Sequence, residues 1–239
     1  MCGRYSLATP NPGAVRERFA LPAETVVEQR FNIAPGQHAL AVTTDREGRR
    51  RADTLRWGLV PHWASDPNVA WKMINARAES AAERPAYRDL LDRRRCLILA
   101  DGFFEWQRLR DGRKQPWWIT LPDNELFAFA GLWTSWRPPD REDVEPLRTF
   151  TILTTQASAA LQDVHDRMPV ILPREQEARW LDHDAPAAAV GDLLVPLEAT
   201  ERVAVGPGVG NAANDTADVI VPVEPLTAAA GAEPPPTLF

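Results

Sequence analysis

Lysine, cysteine, histidine and tyrosine are all scarce in this chain of 239 residues, with two lysines (Lys72 and Lys114), two cysteines (Cys2 and Cys96), four histidines and two tyrosines. Two cysteines so far apart supply neither a disulfide framework nor a CxxC metal pair. His38, His62 and His183 stand at no metal-ligand spacing with acids or cysteines, so no metal and no other cofactor is expected. No run of about twenty apolar residues exists, which excludes a membrane-spanning helix. The N-terminus lacks the charged-then-apolar layout of a secretory signal. A cytoplasmic protein is expected. A glycine-rich phosphate loop and a GxSxG elbow are also missing, which argues against a P-loop nucleotidase and an α/β-hydrolase.

What is present fits a soluble protein with a sizeable core: 44% hydrophobic and 25% charged residues over a length sufficient for one large domain or two small ones. The net charge of −6 conceals an asymmetry. Residues 181–239 carry nine acids against Arg202 alone, so the first 180 residues hold +2. Arginine runs stand at 49–51 and 93–95. Arginine is the better fork for phosphate, so the balance permits a nucleic-acid partner without demanding one.

Short strands with turn signals between them predict a β-rich α+β fold, a single domain with a curved, barrel-like sheet and short flanking helices. A helix is expected over 13–20 and a loop over Phe31–Gly36. Two strands, at 38–44 and ending at Trp57, form a hairpin around a glycine-containing turn. Residues 59–69 should form an exposed, structured loop carrying Trp63. If Trp71–Glu79 is extended, Asn75, Arg77 and Glu79 share one face. A short helix near 80–91, interrupted or begun at Pro85, follows. Cys96 belongs to a buried strand at 96–99, and Phe103–Leu109 pairs with 116–120 as a second hairpin. Strands at about 126–133 and 148–155, then helices at 156–163 and 174–182, complete the pattern. The domain should span 1–223, with 224–239 an Ala/Pro-rich flexible tail.

The chemistry centres on Met1-Cys-Gly-Arg-Tyr5. Removal of Met1 would leave Cys2 with a free α-amine and a thiol, whose reference pKa values are about 8 and about 8.5. Together they can close a thiazolidine ring on one aldehyde, which an internal cysteine cannot do because its nitrogen is an amide. Loss of water from the carbinolamine needs a proton donor. Glu105, in the aromatic run Phe103–Gln107, fits that need if burial raises its pKa; the alternative is an edge-strand carboxylate facing water. His165 is either a capping residue or a group that polarises a reacting sugar. Arg4, Arg77, Trp63 and Trp71 supply the cations and flat rings used to hold single-stranded nucleic acid, although most of nine tryptophans must be core.

Seven segments occur in an order that resembles the SOS-response-associated peptidase (SRAP) family. They are Met1–Tyr5, Phe31–Pro35, Arg56–Pro61, Ile74–Glu79, Ala100–Trp106, Thr149–Thr155 and His165–Val170. The likeness runs from residue 1 to about 223. It implies a sensor of abasic sites in single-stranded DNA that shields them during replication or the SOS response. Cys2 would form a thiazolidine DNA–protein crosslink with the ring-opened sugar. The implied catalytic residues are Cys2, Asn75, Glu105 and His165. Asn75 would position the amine and the sugar, Glu105 would act as acid and base, and His165 would assist ring opening. Arg4 and Arg77 would grip the flanking phosphates. A monomer at the nucleoid or replication fork is the matching expectation, and the peptidase label implies autocatalytic removal of Met1. One departure stands out: where the family has Val-Asn before a late Asn-Asp, this chain has Val209-Gly210 before Asn214-Asp215.

Two other classes compete. Amidohydrolases of the glutamine amidotransferase type also begin Met-Cys-Gly and use the freed cysteine as nucleophile. They lack a His-Asp-Arg-Met-Pro-Val segment. A non-catalytic single-strand-binding module would bind intact and abasic strands alike and form no covalent product.

Overall fold

The structure is a computed structural model that describes residues 2–45, 47–141 and 143–227. The chain opens with β1 (Tyr5–Leu7) and α1 (Pro12–Phe19). Asn11 caps this helix by accepting the Ala14 N–H at 3.1 Å, Pro12 starts it, and Ala20 ends it in the left-handed region at φ 53°. β2 (Arg30–Ile33) comes next. It replaces the first half of the loop expected at 31–36, because its backbone pairs antiparallel with β1. Pro35-Gly36 turns the chain only beyond Ile33.

β3 (His38–Thr44) and β4 (Arg50–Trp57) form the expected hairpin, its turn held by Asp45, which accepts the Glu47 and Arg49 N–H groups. The 59–69 segment is less exposed than expected. Leu59 and Val60 are buried, whereas Trp63 is on the surface, and a 3-10 turn runs over Pro67–Lys72. The extended stretch is confined to β5 (Asn75–Arg77). Glu79 therefore lies on the following short helix α2 (Ala78–Ala81), not on one strand face with Asn75 and Arg77. The helix expected at 80–91 is divided around Pro85 into α2 and α3 (Arg88–Arg93), since proline and its predecessor resist helical continuation.

Next come β6 (Arg95–Ala100), β7 (Gly102–Arg108), β8 (Lys114–Thr120), β9 (Phe127–Trp136) and β10 (Leu147–Gln156). The helix expected at 156–163 is absent. Leu161 and Val164 N–H groups bond carbonyls three residues back, giving successive turns. β11 (Arg167–Pro169), β12 (Ile171–Leu172), α4 (Glu177–Leu181) and β13 (Glu201–Ala204) finish the regular structure. Residues 224–227 have no helix or strand, and the rest of the expected tail lies outside the described residues.

Two sheets result. One runs β13–β8–β7–β1–β2. In the other, β4, β3, β6, β9 and β10 are joined in sequence by pairing, and β10 also pairs in parallel with β4. That last pairing closes a five-strand barrel, the curved sheet expected from the sequence. β5 and β11 attach to β10, and β12 to β9.

Tyr5 joins the two sheets. Its ring is fully buried, edge-on to Trp57 at 5.2 Å and to Phe129 at 5.6 Å. Aromatic pairs of this kind contribute roughly 0.5–1.5 kcal/mol each beyond area burial. Ser6 adds a polar tie, donating to Asp101 at 2.7 Å and accepting from the Trp118 indole at 3.0 Å. Gly102 is required here, since a Cβ would lie 2.1 Å from Trp118 Nε1. The N-terminal strand is thereby fixed in the interior of a sheet, between β2 and β7.

Candidate functional site

Cys2 continues the line of β1 and is fully buried. Asn75 Nδ2 donates to its carbonyl oxygen at 2.7 Å, and Cys2 Sγ lies 3.6 Å from the Arg4 carbonyl oxygen. Burial drives the thiol's pKa far above its ordinary value, and the nearby Glu105 carboxylate adds to the rise. The sulfur is therefore held as a neutral thiol.

Glu105 sits on β7, opposite Trp117 of β8, and is only 4% exposed. Its neighbours on the sheet explain the burial: β7 is flanked by β8 and β1, so it is no edge strand. Burial raises its pKa, and His165 works against that rise. Glu105 thus lies within electrostatic reach of both Cys2 and His165. A protonated carboxyl in such a place can give up a proton and recover it.

His165 ends the turns after β10. Its Nδ1 lies 3.0 Å from the Arg167 N–H and 2.8 Å from the exposed Asp166 carboxylate. These contacts require opposite states of Nδ1, a lone pair for the first and a proton for the second. The Arg167 N–H is the better-kept partner, because Asp166 is 84% exposed and water competes for its carboxylate.

Two anchors hold His165 in place, and composition gave no sign of them. On one side, Asp163 accepts both arms of Arg202 at 2.6 and 3.0 Å and an amide proton of Gln107 at 3.2 Å. Gln107 is two residues from Glu105 on the same strand face. On the other side, Arg167 grips Glu79 in a bidentate pair at 2.6 and 2.9 Å and donates to the Thr154 carbonyl at 2.6 Å. This pair joins the segment after Asn75 to the segment after His165.

A third fastening surrounds Arg4. Asn32 is fully buried, and its amide reaches the carbonyls of Val209, Asn211 and Asn214 at 3.1, 3.0 and 2.9 Å. Asp215 accepts the Phe31 and Asn32 N–H groups and pairs with Arg30. The 209–215 loop is thus pinned to β2, and its Gly210 carbonyl accepts from Arg4 at 3.2 Å. A Cβ on Gly210 would meet no atom within 4 Å, so the position does not require glycine for space.

The remaining expected contact residues divide in two. Arg4 is half-buried and bonded to main-chain carbonyls, whereas Arg77 is exposed on β5. Trp63 and Trp71 are 62% and 56% exposed and are the exposed tryptophans among the described residues. Trp71 lies against Gly36, whose φ of +84° and missing Cβ make room for the ring. The loop bearing both rings rests on a small core of Val60, Ala64, Ala70 and Trp136. Among the described residues, no three His, Cys, Asp or Glu side chains group as metal ligands, and no helix is long and apolar enough to cross a membrane.

The model of the SOS response associated peptidase (SRAP) family matches residues 1–212. The chain is 40% identical over 208 residues to abasic site processing protein YoqW of Bacillus subtilis (strain 168), covering 85% of this chain and 91% of that one. It is 36% identical over 194 residues to abasic site processing protein HMCES of Gallus gallus, covering 71% of this chain and 57% of that one. A crystal structure of a protein from Bacteroides thetaiotaomicron superposes with a TM-score of 0.82 over 93% of this chain and 100% of that chain, and at 23% identity it speaks for the fold alone.

Proposed function

Because the chain belongs to the SOS response associated peptidase (SRAP) family, we propose that it captures abasic sites in single-stranded DNA as a covalent thiazolidine on Cys2. The observation that carries this reading is the Asn75–Cys2 main-chain bond set beside a buried Glu105, whose pKa burial raises. The names of the relatives, which refer to abasic site processing, support the choice of substrate. No metal or cofactor enters the chemistry proposed.

Met1 leaves first by hydrolysis of the Met1–Cys2 bond, carried out by the chain itself, which frees the Cys2 amine. His165 moves the proton that opens the abasic sugar to its aldehyde. The amine attacks the aldehyde carbon, and its proton passes to the oxygen to give a carbinolamine. Protonated Glu105 donates to that oxygen, and water departs to leave an iminium. The Cys2 thiol then returns a proton to the Glu105 carboxylate, and the sulfur closes on the iminium carbon. One water is released and Glu105 is regenerated. Asn75 holds the Cys2 carbonyl, which fixes the amine and the sulfur toward one carbon.

Features of the outer surface support the choice of single strands over duplex. Trp63 and Trp71 offer exposed rings on which unpaired bases stack. Arg77 is free to meet a phosphate, while Arg4 would exchange its carbonyl bonds for one. The result would shield the lesion while the strand is copied, with a monomer acting at the replication fork.

The test is incubation with a single-stranded oligonucleotide holding one abasic site, followed by a denaturing gel and mass measurement. The expected adduct has the mass of the chain lacking Met1 plus the DNA less one water. Equal noncovalent binding to intact and abasic strands, with no adduct, would leave a plain binding module and end this reading.

A further inference from the structure

The barrel has a second end. β5, with Asn75 and Arg77, pairs with Ile152–Thr154 of β10; Arg148 lies near the opposite end of that strand. There Asp53 accepts from Arg148 and Thr43, and Cys96 lies within reach of both charges. A Cβ on Gly131 would meet Cys96 Sγ at 2.8 Å, so Gly131 faces the barrel interior and Trp133, two residues on, faces the same way. Trp133 therefore stands at the mouth of the barrel.

Two guanidinium groups lie over its ring, Arg94 at 4.4 Å and Arg148 at 4.5 Å from the centroid. They are like charges at close quarters, and burial, with Arg148 as the lesser cause, lowers the pKa of Arg94. The carboxylates nearby are already engaged. Asp53 pairs with Arg148, Asp45 and Glu47 pair with Arg49, and Asp92 accepts the Ala187 N–H. Asp184, on the far rim, is 91% exposed. The side chains of Arg94 and Arg51 make no hydrogen bond or ion pair among the described residues, and both line the same cleft of about 420 Å³. A second, wider lobe of about 990 Å³ shares Arg94 and Trp133 and adds Arg93. Barrel mouths are common ligand sites, and unfilled guanidinium forks select phosphate oxygens.

We propose that this mouth binds a phosphate group, a monoester or a diester, through the forks of Arg94 and Arg51 with Trp133 holding Arg94 in place. Neither Cys2 nor its chemistry is involved. The phosphate can come from a nucleic-acid backbone or from a small phosphorylated molecule, and the arms of the test separate the two.

The full chain is titrated with inorganic phosphate at constant ionic strength while the Trp133 indole N–H resonance is followed. Wild type should show a saturable shift, and R94Q should weaken it at least tenfold, with R51Q intermediate. In the second arm, binding of a single strand without a lesion is measured against salt. If the backbone supplies the phosphate, R94Q and R51Q each lower the salt slope by about one unit, while the crosslinking rate on a short abasic strand is unchanged. A phosphate shift lost in R94Q with an unaltered salt slope assigns the site to a small phosphate compound. R51Q, an exposed change, keeps the test decisive if R94Q fails to fold. No shift with phosphate and no change of slope in either variant overturns the proposal.

Discussion

Asn75 reaches from β5 to the main chain of Cys2, its amide donating to the Cys2 carbonyl oxygen at 2.7 Å. The bond spans two distant parts of the chain and fixes the Cys2 main chain. Asn75→Asp places a carboxylate oxygen against that carbonyl in place of a donor. Crosslinking to an abasic strand should slow by roughly 10²-fold, the scale of a lost positioning contact, while affinity for an intact strand changes little. Single-turnover rates beside binding isotherms check this. Equal losses in both would make Asn75 a strand contact and not a positioning group.

Glu105 carries a pH signature. Its pKa is raised in the fold by burial, so the folded state binds its proton more tightly than the unfolded chain does. The stability from this group is complete below the unfolded value of about 4.3 and is lost as pH rises through the raised folded value. Glu105→Gln should therefore be more stable than wild type at pH 8, and the gain should vanish near pH 4. Asp101, whose pKa burial also raises, is common to both proteins and cancels. Paired thermal melts across this range decide it, and a gain that grows toward low pH would contradict the assignment. The same variant should crosslink roughly 10²-fold more slowly or worse.

The two hairpins, the buried Cys96 strand and the exposed Trp63 and Trp71 were legible in the sequence, because each rests on local alternation or on a turn. A curved, barrel-like sheet was legible too, but the pair that closes it was not, since the parallel pairing of β4 with β10 joins strands far apart in the chain. Phe31-Asn-Ile33 carries a loop signal from Pro35-Gly36, yet β1 recruits it into a sheet. Residues 156–163 have helical composition, but Ala157 bonds to the Asp166 carbonyl and breaks the ladder. At the site, the residue types were legible and their supports were not. Asn32, Asp163 and Asp215 act through main-chain carbonyls and N–H groups or distant side chains, which leave no periodic trace.

The Glu79–Arg167 clamp should matter unequally from its two ends. Glu79 is 49% exposed, so screening limits the cost of Glu79→Gln to about 1 kcal/mol. Arg167 is 9% exposed and also serves the Thr154 carbonyl. Arg167→Lys loses the fork and should cost about 2–3 kcal/mol. Chemical denaturation of both variants tests the order, and a larger loss for Glu79→Gln would contradict it.

Gly210 supplies only a carbonyl to Arg4 and leaves open space where a side chain would stand. Gly210→Asn, which places there the residue that the family resemblance led us to expect, should fold with a melting temperature within a few degrees of wild type. Its crosslinking rate should stay within about threefold, a change worth under about 0.7 kcal/mol. A collapse of either would show that the 209–215 loop is tuned to glycine.

The proposed reaction needs the Cys2 amine and thiol on one carbon, and a chain with an uncleavable residue ahead of Cys2 isolates that requirement. That variant keeps the thiol but turns the amine into an amide, which cannot attack an aldehyde usefully. With an abasic single strand, wild type should lose Met1 and give an adduct that survives heat and denaturant, and the blocked chain should give none. A blocked chain that crosslinks as fast as wild type would contradict the account and require an internal nucleophile.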